Sequence, residues 1–181
     1  MRLFVGIPLA EAVRGELTAL MARLKSRNDG LRWTAPESWH ITLEFLGNSS
    51  PEQYVCLTQR LGELHLPLVP IALEKVDLFA RSGVLAVTAK ILPQLLRLQQ
   101  QVSAAAGLCG FAPETRPYQP HITLVRSKGR GRELAELKAK IHRQPAFTSF
   151  AAGEFFLYES FLESSGSRYE IRRRFPLQDG S

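Results

Sequence analysis

Apolar residues recur along this chain with two periods, and the alternation between them predicts its elements. Residues 2–7 read as a strand. Val13, Leu17, Leu20 and Leu24 follow at spacings of four, three and four, which predicts a helix. Asn28-Asp29-Gly30 ends it with turn chemistry. A run from Leu31 to Gly47 contains Trp33, Trp39 and the strand-like segment His40-Ile41-Thr42-Leu43-Glu44-Phe45-Leu46. Ser50-Pro51-Glu52-Gln53 then offers an N-cap serine, a first-turn proline and a capping-box glutamine, opening a helix to about Leu64. Residues 68–79 and 84–90 read as strands joined by the turn Arg81-Ser82-Gly83. A helix over 93–106 is opened by Pro93 and closed by Gly107. The strand His121–Arg126, a basic loop Lys128-Gly129-Arg130-Gly131-Arg132 and a short helix near 133–143 come next. Strands near 153–162 and 168–177, flanking the turn 163–167, close the pattern.

Strands and helices alternate here without the glycine-rich first turn of a parallel βαβ unit. The predicted class is therefore α+β, with two lobes, each a mostly antiparallel sheet backed by helices on its outer face. No Pro-, Gly- or Ser-rich linker separates the lobes, so residues 1–181 are expected to form one domain.

Composition changes this picture little. A hydrophobic fraction of 45% and a charged fraction of 22% are ordinary for a globular chain. The net charge of +6 favours polyanionic partners such as RNA without specifying chemistry. Cys56 and Cys109 have no metal-binding or redox spacing; Cys56, among apolar residues of a predicted helix, reads as a buried free thiol, and a disulfide stays open although nothing in the sequence demands one. No apolar run approaches the roughly 20 residues of a membrane span. The opening Met1–Pro8 reaches proline too early for a signal peptide, so the expected location is cytoplasmic and no membrane contact is expected.

The informative feature is a repeat. Of four histidines, two begin the same tetrapeptide, His-Ile-Thr-Leu, at 40–43 and 121–124, an offset of 81 residues. Among the histidine pairs, a chance match of the three following residues has odds on the order of one in a thousand. Internal duplication explains it better. On a strand, side chains at i and i+2 share a face, so His40 neighbours Thr42 and His121 neighbours Thr123. Ile41, Leu43, Ile122 and Leu124 take the opposite, packing face. If a pseudo-two-fold axis relates the copies, their polar faces meet across a central cleft.

Two facing imidazoles, with unperturbed pKa values near 6.5, suit one accepting and one donating a proton. Threonine hydroxyls beside them suit the non-bridging oxygens of a phosphate. The constellation fits in-line displacement at phosphorus without a metal. His65 and His142 lack these neighbours and read as surface or loop residues.

The chain resembles the 2H phosphoesterase superfamily, and within it the RNA 2′,3′-cyclic phosphodiesterases once called 2′-5′ RNA ligases. Arg2–Pro8 resembles the family's opening strand, Trp39–Gly47 its first motif and Pro120–Arg126 its second. Phe156–Ser160 and Tyr169–Ile171 resemble its closing strands; Phe175 stands where the family often has Trp, away from the chemistry. The resemblance implies that His40 donates a proton to the leaving ribose O3′ and His121 activates water, giving a 2′-phosphomonoester. It further implies that Thr42, Thr123 and Arg126 hold the phosphate while Phe45 stacks on a base. Strict alternation puts Phe45 and Arg126, each five residues after its histidine, on the apolar face, so both roles require the strand to end or twist there. The expected partner is RNA with a 2′,3′-cyclic phosphate end, or a cyclic nucleotide, bound by a monomer with no cofactor and no metal.

Other chemistries fit less well. There is no H-x-H or H-E-x-x-H for a metal, no G-x-S-x-G elbow, and the basic loop lacks the P-loop pattern, though it could guide an RNA backbone. Reversible 2′-5′ ligation and hydrolysis of 2′,5′-oligonucleotides or small cyclic nucleotides would use the same residues. A non-catalytic RNA- or nucleotide-binding module is the reading from another class, and two intact His-x-Thr motifs argue against it.

Overall fold

The computed structural model describes residues 1–27, 29–127, 132–163 and 166–178. Strand β1 (Arg2–Pro8) leads to α1 (Glu11–Leu24), the two-residue β2 (Arg32–Trp33), a 3-10 turn (Pro36–Ser38) and β3 (His40–Asn48). Then come α2 (Pro51–Gly62), β4 (Val69–Ile71), β5 (Leu73–Phe79), β6 (Val84–Ala89) and α3 (Pro93–Leu108). β7 (His121–Arg126), α4 (Arg132–Ala139), β8 (Phe150–Ala152), β9 (Glu154–Glu163) and β10 (Gly166–Pro176) complete the order.

Two four-stranded sheets carry the molecule, in the orders β10-β9-β1-β3 and β2-β7-β6-β5, with a small β4-β8 ladder besides. Every strand pair is antiparallel. The class is α+β with two lobes, as the pattern predicts. The lobes are not consecutive halves, however. The last two strands complete the first sheet, and β2 from the first half joins the second.

Periodicity explains the core. Val13, Leu17, Leu20 and Leu24 of α1 are all buried, as are Leu95, Leu98 and Val102 of α3. They join Leu3, Val5 and Ile7 of β1, and Ile122 and Leu124 of β7, in one continuous core that serves both lobes. The other face of β1 contributes Phe4 to a smaller cluster with Phe156, Tyr158 and Tyr169. Phe175 stacks on Phe155 at 5.1 Å in the main core. The capping box forms as expected: Gln53 N–H donates to Ser50 Oγ at 3.2 Å, and Ser50 N–H to Gln53 Oε1 at 3.1 Å.

Several expectations need correction. Residues 68–79 are not one strand, because β4 pairs with β8 while β5 pairs with β6, so the chain changes sheets at Ala72. Periodicity cannot reveal such a break, since both pieces stay extended. Helix α3 runs through Gly107; Gly110, at φ 79°, supplies the left-handed residue after its end. The helices begun at Pro51 and Arg132 stop earlier than expected, and β8 was not anticipated. Cys56 is not a free thiol: it is disulfide-bonded to Cys109. Helix α2 and the C-terminal cap of α3 bring the two Cα atoms to 5.8 Å, a span that a disulfide bridges, and linear spacing does not disclose it. Residues 128–131 of the basic loop, Asn28, and Ser164 and Ser165 of the last turn lie outside the described residues. Among the described residues, no helix is long and apolar enough to cross a membrane.

Candidate active site

Strand β3 is the edge of the first sheet, and β7 lies second in the other sheet, covered only by the short β2. These two strands approach each other along the seam between the lobes, where Tyr118 Oη–H donates to Thr42 O at 3.2 Å. A cavity of about 380 Å³ opens at this seam. His40, Thr42, Phe45, His121, Thr123 and Arg126 all line it. The structure thus brings together every residue singled out in the sequence, while His65 and His142 are exposed and lie outside the cavity.

Each histidine is the first residue of its strand and is anchored in the same way. His40 Nδ1 lies 2.8 Å from Ser38 O, and His121 Nδ1 lies 2.7 Å from Gln119 O, in both cases the carbonyl two residues back. A carbonyl can only accept, so Nδ1 carries the proton in each neutral ring. Nε2 is left as the reactive nitrogen. For His40 it sits 3.1 Å from Thr42 Oγ1, whose hydroxyl donates to the neutral ring.

Packing fixes the ring planes. His40 lies 4.7 Å from the Phe4 ring and edge-on to Tyr169 at 5.3 Å, with Tyr158 at 5.7 Å. His121 packs on Phe79 at 4.9 Å. Gly6, opposite Thr42 in the β1–β3 ladder, makes room for this. A methyl group there would sit 3.2 Å from His40 Cδ2 and 3.1 Å from Ile41 O.

Burial among these rings pushes the His40 imidazole down to about 4, against the Ser38 carbonyl, and the positive charges of His121 and Arg126 push the same way. His121 is also lowered, again mainly by burial, with Arg126 adding to the effect. Both rings are therefore largely neutral in the free protein at pH 7, and among the described residues the charges lining the cleft are Arg2 and Arg126.

The placement of Phe45 and Arg126 has a cause that alternation does not anticipate. Val5 pairs with Glu44 and Gly6 with Thr42, so Leu43 is an extra residue in β3. Leu85 pairs with Val125 and Ala86 with Thr123, so Leu124 is an extra residue in β7. Each motif strand carries a β-bulge at the leucine after its threonine. A bulge inverts the side-chain alternation beyond it. Glu44 and Val125 consequently turn inward, and Phe45 and Arg126 turn out into the cavity. The burial sequence of the first six residues is the same in both strands. Strand β3 continues past Phe45 to Asn48, whereas β7 ends at Arg126, so there the bulge and the strand end coincide.

Other lining residues were missed. Arg2 lies on the cavity side of β1 with Phe4, and Thr34, Ser160, Ser167 and Tyr169 add polar groups. Period-two alternation in β1, with Arg2, Phe4 and Gly6 opposite Leu3, Val5 and Ile7, was the available signal. Among the described residues no group of three His, Cys, Asp or Glu side chains could hold a metal ion. Two Nε2 atoms, two hydroxyls and a guanidinium can grip a tetrahedral anion and move protons on and off its substituents.

Known proteins resemble this chain over nearly its whole length. A family model described as LigT-like phosphoesterase matches residues 7–86 and again residues 85–169, one match over each motif. A protein of Archaeoglobus fulgidus named RNA 2′,3′-cyclic phosphodiesterase is 29% identical over 97% of this chain and 99% of its own length. A protein of the same name from Escherichia coli is 29% identical over 97% of this chain and 96% of its own. The crystal structure of E. coli LigT complexed with 3′-AMP superposes with a TM-score of 0.80 at 27% identity, covering 97% of both chains.

Proposed function

This chain belongs to the LigT-like phosphoesterase family, and on that premise we propose that it hydrolyses RNA 2′,3′-cyclic phosphodiester ends to 2′-phosphomonoesters, without a metal, through His40 and His121. The observation that carries the reading is the paired anchoring of the two rings. Each presents Nε2 to one cavity that also holds two threonine hydroxyls and Arg126.

In the reaction, His121 Nε2 takes a proton from water as the water oxygen bonds to phosphorus. The P–O3′ bond breaks on the opposite side. His40, in its protonated form, gives its Nε2 proton to O3′, leaving a free 3′-hydroxyl and a 2′-phosphate. Thr42 and Thr123 donate to the non-bridging oxygens, and Arg126 offsets their charge. Phe45, 62% exposed, offers a flat face to a base. All of these groups come from one chain, so a monomer is a sufficient working unit. Duplication of an ancestral lobe accounts for the twofold family match and the two bulged motifs.

The test is incubation with an oligonucleotide ending in a 2′,3′-cyclic phosphate, in the presence of chelator, followed by identification of the phosphomonoester. A 2′-phosphate formed in chelator is expected. A 3′-phosphate product, or activity abolished by chelator and restored by metal, would overturn the mechanism.

A further inference from the structure

A second cavity, of about 420 Å³, lies beside the first and shares Thr42, Phe45 and His121 with it. Its size falls within the range of small-molecule sites. Its charge is opposite. The first cavity holds both histidines, Arg2 and Arg126, whereas the second is lined by Glu44, Glu114, Gln99, Gln100 and Ser103. Arg116 also borders it, but Glu114 holds that guanidinium through Nε at 3.0 Å and Nη2 at 2.5 Å.

Glu44 is the unusual member. The bulge at Leu43 turns it inward, and it is only 5% exposed. Among the described residues no lysine or arginine forms an ion pair with it. Its carboxylate accepts from Gln99 Nε2 at 3.4 Å and from the Ser103 hydroxyl. Burial pushes the Glu44 carboxyl up, with Glu114 adding to the effect, against the two hydrogen bonds that favour its charged form. Each carboxylate oxygen still has lone-pair capacity for a further donor.

We propose that this cavity is a nucleobase subsite selecting guanine on the nucleotide that bears the cyclic phosphate, with Phe45 as the stacking platform and Glu44 as acceptor of the base's two N–H donors. The proposal rests on the activity proposed above. Along its pairing edge guanine alone presents two adjacent donors, N1–H and N2–H. Adenine and cytosine set an acceptor beside the amino group, and uracil flanks its single donor with carbonyls. A carboxylate accepts only, so it matches the first pattern and repels the others. Gln99 Nε2 has a second N–H for guanine O6. The charge difference between the cavities orients the nucleotide, phosphate toward Arg126 and base toward Glu44.

Steady-state hydrolysis of the guanosine, adenosine, cytidine and uridine 2′,3′-cyclic monophosphates tests this. Hydrogen bonds to a charged group give about 10–100-fold discrimination. Wild-type protein is expected to favour guanosine in kcat/KM by at least tenfold, mainly through KM. Glu44→Gln should bring the guanosine-to-adenosine ratio close to one by raising KM for guanosine. Gln99→Met, which removes the O6 donor, should lower the ratio in part. Equal kcat/KM for the four bases in wild type, or an equal loss for all four in Glu44→Gln, would overturn the subsite. Calorimetric binding of the four nucleoside 2′-monophosphates separates the two proposals. If no cyclic phosphate is hydrolysed, the activity reading fails, while tightest binding of the guanosine product still supports the subsite and equal binding rejects it.

Discussion

Binding of an anion in the cleft should drive a proton onto His40. With the free ring held at about 4, roughly one molecule in a thousand carries at pH 7 the proton that a donor needs. Half-protonating the ring at pH 7 in the complex requires raising its pKa by about three, or about 4 kcal/mol. A charge-assisted hydrogen bond from Nε2–H to a phosphate oxygen contributes about 1.5–3 kcal/mol of that. The Coulomb attraction between the anion's charge and the buried imidazolium has to supply the remainder. Sulfate is the cleanest probe, because its own charge is constant across this range. Linkage then requires it to bind up to about tenfold tighter for each unit that pH falls from about 7.5 toward 5. Imidazole NMR titrations with and without sulfate, assigned using His40→Ala, would locate the proton. Calorimetry in buffers of different ionisation enthalpy would count it. In kinetics, the basic limb of kcat should lie at higher pH than that of kcat/KM, since only the complex has the raised pKa. The same low pKa destabilises the fold as pH falls from about 6.5 to about 4, because there the unfolded chain binds a proton that the native ring refuses. A complex in which His40 stays neutral at pH 7 refutes the donor role. Proton uptake by His121 instead would reverse the two assignments.

Three further outcomes are expected. His40→Ala and His121→Ala should each lower turnover by roughly 10²–10⁴-fold, and the double variant by less than the product; a leaving group that needs no proton should rescue only His40→Ala, and rescue of His121→Ala would exchange the roles. Gly6→Ala should leave the fold intact but displace the His40 ring by a few tenths of an ångström. A fall in kcat of about tenfold or more is expected, because small misplacements of an acid are costly, and unchanged kcat would show that the close approach is immaterial. Reducing the Cys56–Cys109 disulfide, which spans 53 residues, should lower unfolding stability by about 4 kcal/mol on the chain-entropy account; urea melts with and without reductant measure it, and coincident curves would contradict it.

The sequence made the four motif residues legible for a particular reason. Histidine and threonine at i and i+2 share a face in any strand, whatever that strand pairs with. Phe45 and Arg126 were placed only by resemblance, because the bulges that expose them exist in the ladders with β1 and β6. Glu44 was given no role, since alternation puts it on the histidine face and the bulge removes it from there. Helix α1 was readable from four leucine-type positions. The division at Ala72 and the Cys56–Cys109 bond were not, since each depends on which distant segment lies alongside. Local periodicity encodes faces, and partners decide registers.

The interleaving of the two sheets has a consequence for how the molecule is made. Strand β1 is flanked by β3 on one side and by β9 on the other, so the earliest-synthesised strand waits for almost the last. On a ribosome, the His40 ring would first have Phe4 beside it and gain Tyr158 and Tyr169 only once the closing hairpin emerges. Such sequence-distant pairing slows folding relative to chains built from local contacts. It also means that a gene cut between the two motifs yields fragments that each lack strands of their own lobe. Neither piece would assemble a cleft alone, and co-expressed together they would have to trade strands to rebuild it.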